Sequence, residues 1–175
     1  MAEAYRSIAR IQKTHGRNGE VVAVPTHGLP LLLHEGLEVT VVPPELKGPR
    51  RHVVSRCVDA PAGQLVAFED VRSLGEASRL VGKTVLARMA DLPADVALHD
   101  VDALAGRMVR DVRHGPLGAI EEVLRGPAND VWVVRGRYGE VLVPVVEAMI
   151  REFDESGDIL VDLPDGLVDE GAACE

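Results

Sequence analysis

Three N-terminal histidines and two cysteines are the first residues to test for metal binding or catalysis. His15, His27 and His34 have separations that match no local zinc pattern, and His15 and His27 each precede a glycine, which is typical of turns. Cys57 and Cys174 fit no zinc spacing either, so we expect two free thiols. The sequence contains no nucleophile elbow and no Gly-rich phosphate loop. We therefore expect no metal, no cofactor and no catalytic residue, although a Ser/His/Asp site assembled in space stays open as an alternative.

Two basic groups in the first half could contact phosphate. Residues 47–51 read KGPRR, and a second group lies in and around the first predicted loop. Lys and Arg contacts to phosphate position a protein on RNA without reading its sequence. The alternative is that residues 47–51 form only a solvated turn. The predicted RNA-proximal residues are Arg10, Lys13, Arg17, Lys47, Arg50 and Arg51.

A loop in the second half is the candidate protein contact. Residues 126–130 read GPAND; Pro fixes φ, and Asn and Asp bond to nearby backbone amides, so a plain turn is the alternative. Trp132 is the only tryptophan and could be an interface anchor, because Trp is enriched in binding hot spots, or a core residue. The candidate protein-binding residues here are Arg125, Gly126, Asn129, Asp130 and Trp132.

The elements around this loop are predicted to be strands. Val131–Val134 and Val141–Val146 flank a Gly-bearing turn, Arg135–Gly139, which predicts a hairpin. A third strand, Ile159–Leu163, follows a polar turn at Asp154–Asp158. The segment contains no nucleophile or ligand set, so we interpret it as a binding surface.

The whole pattern predicts an all-β chain of two small β-barrel domains joined by a short linker, with one or two short helices. Ser73 and Glu76 form a capping box that begins a helix over Leu74–Val81. The predicted domains are residues 1–92 and 103–168, with a linker at 93–102 and a frayed acidic tail at 169–175. The remaining strands are predicted at Tyr5–Gln12, Glu20–Val24, Glu38–Val42, His52–Val58, Gln64–Val71, Thr84–Arg88, Arg107–Val112 and Leu117–Leu124.

Charge is distributed unevenly along the 175 residues, whose net charge is −9. Residues 1–90 carry 12 Lys and Arg against 9 Asp and Glu, whereas residues 91–175 carry 7 against 19. An acidic half repels phosphate and attracts basic proteins, although acidic surface also aids solubility. We therefore expect Asp130→Lys to weaken binding to a basic partner. No signal-peptide core and no apolar run of about 18 residues occurs, so we expect a cytoplasmic protein without membrane contact.

Short motifs in a fixed order run from one end of the chain to the other. They are residues 8–11 (IARI), 15–16 (HG), 19–21 (GEV), 76–77 (EA), 80–82 (LVG), 104–106 (LAG), 126–130 (GPAND), 142–144 (LVP) and 163–167 (LPDGL). In order and spacing these motifs resemble the RimM family of bacterial ribosome maturation factors. The second half is similar to a PRC-barrel domain.

The resemblance implies a six-stranded N-terminal barrel, like those of translation factors, joined to a PRC barrel. It also implies a monomeric, non-enzymatic factor that binds the immature head of the small ribosomal subunit through a basic ribosomal protein and promotes maturation of its rRNA. Family members usually carry an aromatic pair where this chain has His99 and Asp100. These two residues join the candidate protein-binding set, and a partner contact there would have to be polar.

Two other functions stay open. A general PRC-barrel adaptor would bind a stable partner outside the ribosome. A small enzyme built from converging His and Asp side chains would turn over a substrate and lose that activity when His15 is replaced.

Overall fold

The computed structural model describes residues 3–154, 157–169 and 171. Two compact units, Met1–Val96 and Ala97–Glu175, each have a hydrophobic core of their own. Strands form most of the regular structure, and the predicted all-β class with two small β-domains is confirmed. None of the helices described is both long and apolar enough to span a lipid bilayer.

The first unit is a closed antiparallel barrel in the strand order β1-β2-β5-β4-β3-β6. Because neighbouring strands alternate in direction, β1, β3 and β5 all end at the same end of the barrel. The connections at residues 16–19, 43–50 and 69–83 therefore meet there, and we call this the basic end. The six strands are β1 (Tyr5–His15), β2 (Glu20–Pro25), β3 (Glu38–Val42), β4 (Arg51–Ala60), β5 (Gly63–Phe68) and β6 (Thr84–Arg88).

The strand β1 is longer than the sequence predicts. Its pairing with β2 shifts between Ile11 and Lys13, as at a β-bulge, and then continues to His15. Ile11 is buried and Lys13, two residues later, is exposed, which the extra residue of the bulge allows. The connection between β1 and β2 is accordingly limited to residues 16–19.

The predicted helix is confirmed as α1, Leu74–Leu80. Both bonds of the capping box form: the backbone N–H of Glu76 donates to Ser73 Oγ at 3.3 Å, and the N–H of Ser73 donates to Glu76 Oε2 at 3.1 Å. Hydrogen bonds from the backbone N–H groups of Arg72 and Ser73 lower the pKa of Glu76. Ala77 and Leu80 are buried, so α1 packs against the barrel within the 69–83 connection.

The second unit is a six-stranded sheet in the order β10-β9-β8-β7-β12-β11. Its hairpin is confirmed, because Val134 pairs with Val141 across β9 and β10. The strand β12 pairs in parallel with β7, whereas the other neighbours are antiparallel. These strands are β7 (Met108–Asp111), β8 (Gly115–Leu124), β9 (Val131–Gly136), β10 (Gly139–Pro144), β11 (Ile150–Glu152) and β12 (Ile159–Val161).

The predicted linker contains regular structure. Val96–His99 forms a 3-10 turn and Val101–Leu104 forms a short helix, α2. Val96 belongs to the core of the first unit, and Leu104 belongs to the core of the second. The predicted domain limits stay a prediction. Cys174, most of the predicted acidic tail and part of the predicted 154–158 turn lie outside the described residues.

Two glycines let β8 and β9 approach closely. A Cβ on Gly118 would lie 2.0 Å from the carbonyl oxygen of Arg135, and a Cβ on Gly136 would lie 2.1 Å from that of Leu117. Any larger residue at either position would collide with backbone, which cannot yield as a side-chain end can.

The carboxylate of Asp111 joins the β7–β8 turn to the segment after β12. It accepts the backbone N–H groups of Leu163 at 2.9 Å and of Arg113 and His114 at 3.0 Å, and lies 2.6 Å from His114 Nδ1. Burial by itself would raise the pKa of Asp111, but these hydrogen bonds outweigh it and lower that pKa below its ordinary value.

Candidate binding surfaces

The loop between β8 and β9 is held at its base by an anchor cluster of His99, Arg125 and Asp130. Asp130 Oδ2 lies 2.6 Å from His99 Nδ1 and also accepts a hydrogen bond from Arg125 Nη1. Arg125 Nη2 donates to the backbone oxygen of His99 at 2.9 Å. The Asp130 side chain is only 8% exposed. The cluster therefore fixes both ends of the loop to the 3-10 turn at Val96–His99.

Three residues predicted to contact a protein partner are buried. Trp132 is 0% exposed in the core, and its Nε1–H donates to the backbone oxygen of Leu98 at 3.3 Å. Asp100 is buried as the N-cap of α2, accepting the N–H of Ala103 at 3.1 Å. Asp130 is buried in the anchor cluster. In this conformation these side chains support the loop and do not form its contact surface.

The exposed part of the loop is its tip, Gly126, Pro127, Ala128 and Asn129. The tip is tight, because a Cβ on Gly126 would lie 2.2 Å from the backbone oxygen of Asn129. A rigidly held, exposed tip on a β-scaffold is a common way to present a binding surface.

The loss of binding expected for Asp130→Lys stays a prediction, but Asp130 is buried, so this loss would not identify a partner contact. The replacement would bury a second cation beside Arg125 and remove the carboxylate that Arg125 and His99 share. Loss of the loop structure would weaken binding whether or not the residue meets a partner. A test of the interface has to change the exposed tip instead.

The barrel topology brings the two predicted basic groups to the basic end. Arg17 lies in the first connection and Lys47 and Arg50 lie in the second, while Arg10 and Lys13 lie on β1 and Arg51 begins β4. All six side chains belong to exposed residues. The connections at the opposite end, residues 26–37 and 61–62, contain no Lys or Arg. Positive charge is therefore concentrated at one end of the first unit.

Sequence reasoning missed three further cations at the basic end. Arg72, Arg79 and Lys83 come from the 69–83 connection, and Lys83 pairs with Glu45 at 3.6 Å. Only the strand order shows that this connection meets the other two. Within the described part of the chain Arg10, Lys13, Arg17, Lys47 and Arg50 form no ion pair, whereas Arg51 lies 3.5 Å from Glu38.

The three N-terminal histidines do not converge. His15 ends β1 at the basic end, while His27 and His34 lie in the 26–37 connection at the other end. Among the described residues no group of three or more His, Cys, Asp or Glu side chains could hold a metal ion. Cys57 is a free thiol whose Sγ–H donates to the backbone oxygen of Leu33, and burial raises its pKa.

Comparison with known proteins shows which family this chain resembles. The RimM PRC barrel domain matches residues 101–167. The ribosome maturation factor RimM of Heliobacterium modesticaldum is 31% identical over 173 residues, which cover 95% of this chain and 99% of that protein. The chain belongs to the RimM family of ribosome maturation factors. The sequence-based resemblance to this family is thereby confirmed.

A further relative and a solved structure are also similar to this chain. The RimM of Syntrophotalea carbinolica is 42% identical over 109 residues, 61% of each chain. The crystal structure of a 16S ribosomal RNA processing protein RimM from Pseudomonas aeruginosa is 21% identical, covers 92% of this chain and 98% of that one, and has a TM-score of 0.42. The matched PRC barrel domain includes the 126–129 tip of this RimM-family chain.

Proposed function

We propose that this RimM-family chain is a non-enzymatic, monomeric, cytoplasmic assembly factor of the small ribosomal subunit. The Ala97–Glu175 unit binds a basic ribosomal protein of the immature head, the basic end of the first unit lies near rRNA, and binding promotes maturation and processing of that rRNA. Family membership carries the proposal, because the relatives that match over the full chain are ribosome maturation factors.

The second unit has the charge that a basic protein partner would need. Residues 97–175 carry 17 Asp and Glu against 7 Lys and Arg. Complementary potentials speed encounter and disfavour wrong partners. The 126–129 tip supports a contact there because the anchor cluster holds it in one conformation before binding.

Binding energy alone would carry the mechanism. A factor that binds an immature conformation of the head more tightly than other conformations shifts the population toward it. Equal affinity for all conformations would shift nothing. The proposal therefore requires tighter association with precursors than with finished subunits. Co-sedimentation with both particles measures this difference, and equal or absent association with both would contradict the proposal.

The RNA-facing role of the basic end has a charge-reversal test. We expect the double variant Arg50→Glu, Arg51→Glu to weaken association with precursors and to lower its salt dependence, because fewer phosphate counterions are released. Arg110→Glu with Arg137→Glu makes the same charge change on exposed positions of the second unit and serves as the control. Equal losses in the two double variants would contradict the assignment of the basic end.

The protein-facing role of the tip has a paired test at one exposed position. Ala128→Lys adds repulsion toward a basic partner and Ala128→Glu adds attraction, so the first should weaken and the second strengthen binding, each by about threefold. The two variants share backbone, position and approximate size. Binding that does not change with the sign of the added charge would contradict a basic partner at the tip.

A general PRC-barrel adaptor outside the ribosome is the alternative function. It predicts that affinity purification from cells recovers a stable non-ribosomal partner and no small-subunit proteins.

A further inference from the structure

A cleft of about 250 Å³ opens at the basic end of the first unit. One wall is the 43–50 connection and another is α1, and the apolar part of the lining comes from Val41, Val71 and Leu80. Sites for drug-sized ligands measure about 300–1,000 Å³, so this cleft suits a single ring system.

His52 lines this cleft, and its ring nitrogen Nε2 is available for a hydrogen bond. The residue is only 4% exposed, and its Nδ1 lies 2.9 Å from the carboxylate of Asp70. Its ring packs against Phe68 with the centroids 5.3 Å apart. Within the described chain Nε2 has no hydrogen-bond partner. With the ring neutral and its Nδ1–H donating to the Asp70 carboxylate, Nε2 is an acceptor held in a fixed place.

The charges of the lining give no net attraction to an anion inside the cleft. Lys47, Arg79 and Lys83 are balanced by Glu45, Asp70 and Glu76, so the lining has no formal excess charge apart from His52. A neutral ring that carries hydrogen-bond donors fits such a lining better than a phosphate does. The unpaired cations Arg17 and Arg50, by contrast, belong to the connections outside the lining and remain free to contact phosphates.

We propose that this cleft binds one unstacked base of single-stranded RNA, with His52 Nε2 accepting a hydrogen bond from the base edge. Every RNA base carries an N–H or NH2 donor on its Watson–Crick edge, so the site tolerates any sequence. Proteins commonly take splayed-out bases from loops and ends of RNA in this way. This proposal rests on the RNA-facing role proposed above for the basic end, and it adds that the cleft at this end binds an RNA base.

The first experiment is a nuclear magnetic resonance titration of the wild-type chain, following the imidazole resonances of His52. AMP should shift them, whereas ribose 5-phosphate, which has the phosphate but no base, should not. Unmoved resonances with AMP, or equal shifts with both compounds, would overturn the proposal. A shift caused by a basic small-subunit head protein without RNA would also overturn it, because the cleft would then take a protein side chain.

The second experiment compares binding of an eight-nucleotide adenylate RNA to two His→Phe variants. His52→Phe retains a ring against Phe68 but removes the acceptor, so affinity should fall about fivefold, the worth of one hydrogen bond. His34→Phe changes an exposed histidine at the opposite end and should leave affinity unchanged. Equal affinities of His52→Phe and the wild type would overturn the proposal.

Different results would contradict the base-binding cleft and the RNA-facing role of the basic end. If AMP shifts the His52 resonances but Arg50→Glu with Arg51→Glu leaves the RNA affinity unchanged, the base site stands and the wider RNA-facing role fails. If that double variant weakens RNA binding while His52 is insensitive to AMP, the basic end contacts RNA but the cleft holds no base.

Discussion

Asp130 is held by residues from two elements: its Oδ2 accepts a hydrogen bond from Nη1 of Arg125, the first residue of the loop, and lies 2.6 Å from Nδ1 of His99 in the 3-10 turn. A buried carboxylate paired with a guanidinium is strongly held, and removing it leaves Arg125 and His99 without the partner they share. At this scale the cluster explains how an exposed tip of four residues stays fixed.

We expect Asp130→Asn to lower the free energy of unfolding by about 2 kcal/mol. Breaking a buried ion pair costs roughly 3–5 kcal/mol, and solvent reduces this because the Arg125 side chain is 37% exposed. Urea unfolding followed by circular dichroism measures the loss. Asp165→Asn is the control, since its side chain is 93% exposed in its pair with Arg113, and it should change stability by less than about 0.5 kcal/mol. Equal effects of the two replacements would contradict the role of the cluster.

Asp111 should make the free energy of unfolding depend on pH in the acid range. Its pKa is lower in the folded chain than in the unfolded chain, so ionised Asp111 stabilises the fold above the unfolded value of about 3.9. This contribution is lost as the pH falls through the folded pKa. The stability gap between the wild type and Asp111→Asn, measured by urea unfolding, should therefore be full at pH 7 and should shrink below about pH 4. A gap that stays constant with pH would contradict this assignment.

At the scale of elements, the crossing of β8 and β9 depends on glycine. Gly136→Ala would drive a methyl group into the backbone of Leu117, and we expect a loss of at least about 2 kcal/mol in unfolding free energy. Gly75→Ala is the matched control, because Gly75 lies in α1 with nothing within 4 Å of an added Cβ. Alanine favours the helix, so that variant should gain about 0.5 kcal/mol. A Gly136→Ala chain as stable as the wild type would show that the strands can separate without cost.

Elements with complete local signals were predictable from sequence. The capping box of Ser73 and Glu76 predicts a helix, and the valine runs on either side of residues 135–139 predict a hairpin. Both the helix and the hairpin form where expected. The strand β11 was missed because its three residues include only one apolar side chain, Ile150. Its position depends on pairing with β12, which no local pattern reveals.

The site was less predictable than the fold. His99 and Asp130 are 31 residues apart, so their pairing depends on tertiary structure. The tip and the six basic residues are exposed, and their contacts stay a prediction, whereas Trp132, Asp100 and Asp130 of the candidate set are buried. Side chains of these three types occur both at interfaces and in buried supporting positions. Burial decides between these roles, and composition does not.

At the scale of the whole molecule, the position of the boundary between the units has a direct test. A fragment ending at Leu92 lacks Val96, which is only 2% exposed in the core of the first unit. We expect it to be about 2 kcal/mol less stable to urea than the fragment ending at Val96, the worth of one buried valine side chain. Extending the fragment to Asp100 is the control and should add less than about 0.5 kcal/mol. Equal stability of the two shorter fragments would place the boundary at the predicted residue 92.

The burial of Trp132 gives this chain a built-in optical reporter. It is the only tryptophan in the sequence, and its indole is enclosed in the Ala97–Glu175 unit. Selectively excited emission therefore comes from that unit alone and moves to longer wavelength when water reaches the ring. Fluorescence and circular dichroism recorded on one unlabelled sample can thus reveal whether the two units open together or one after the other.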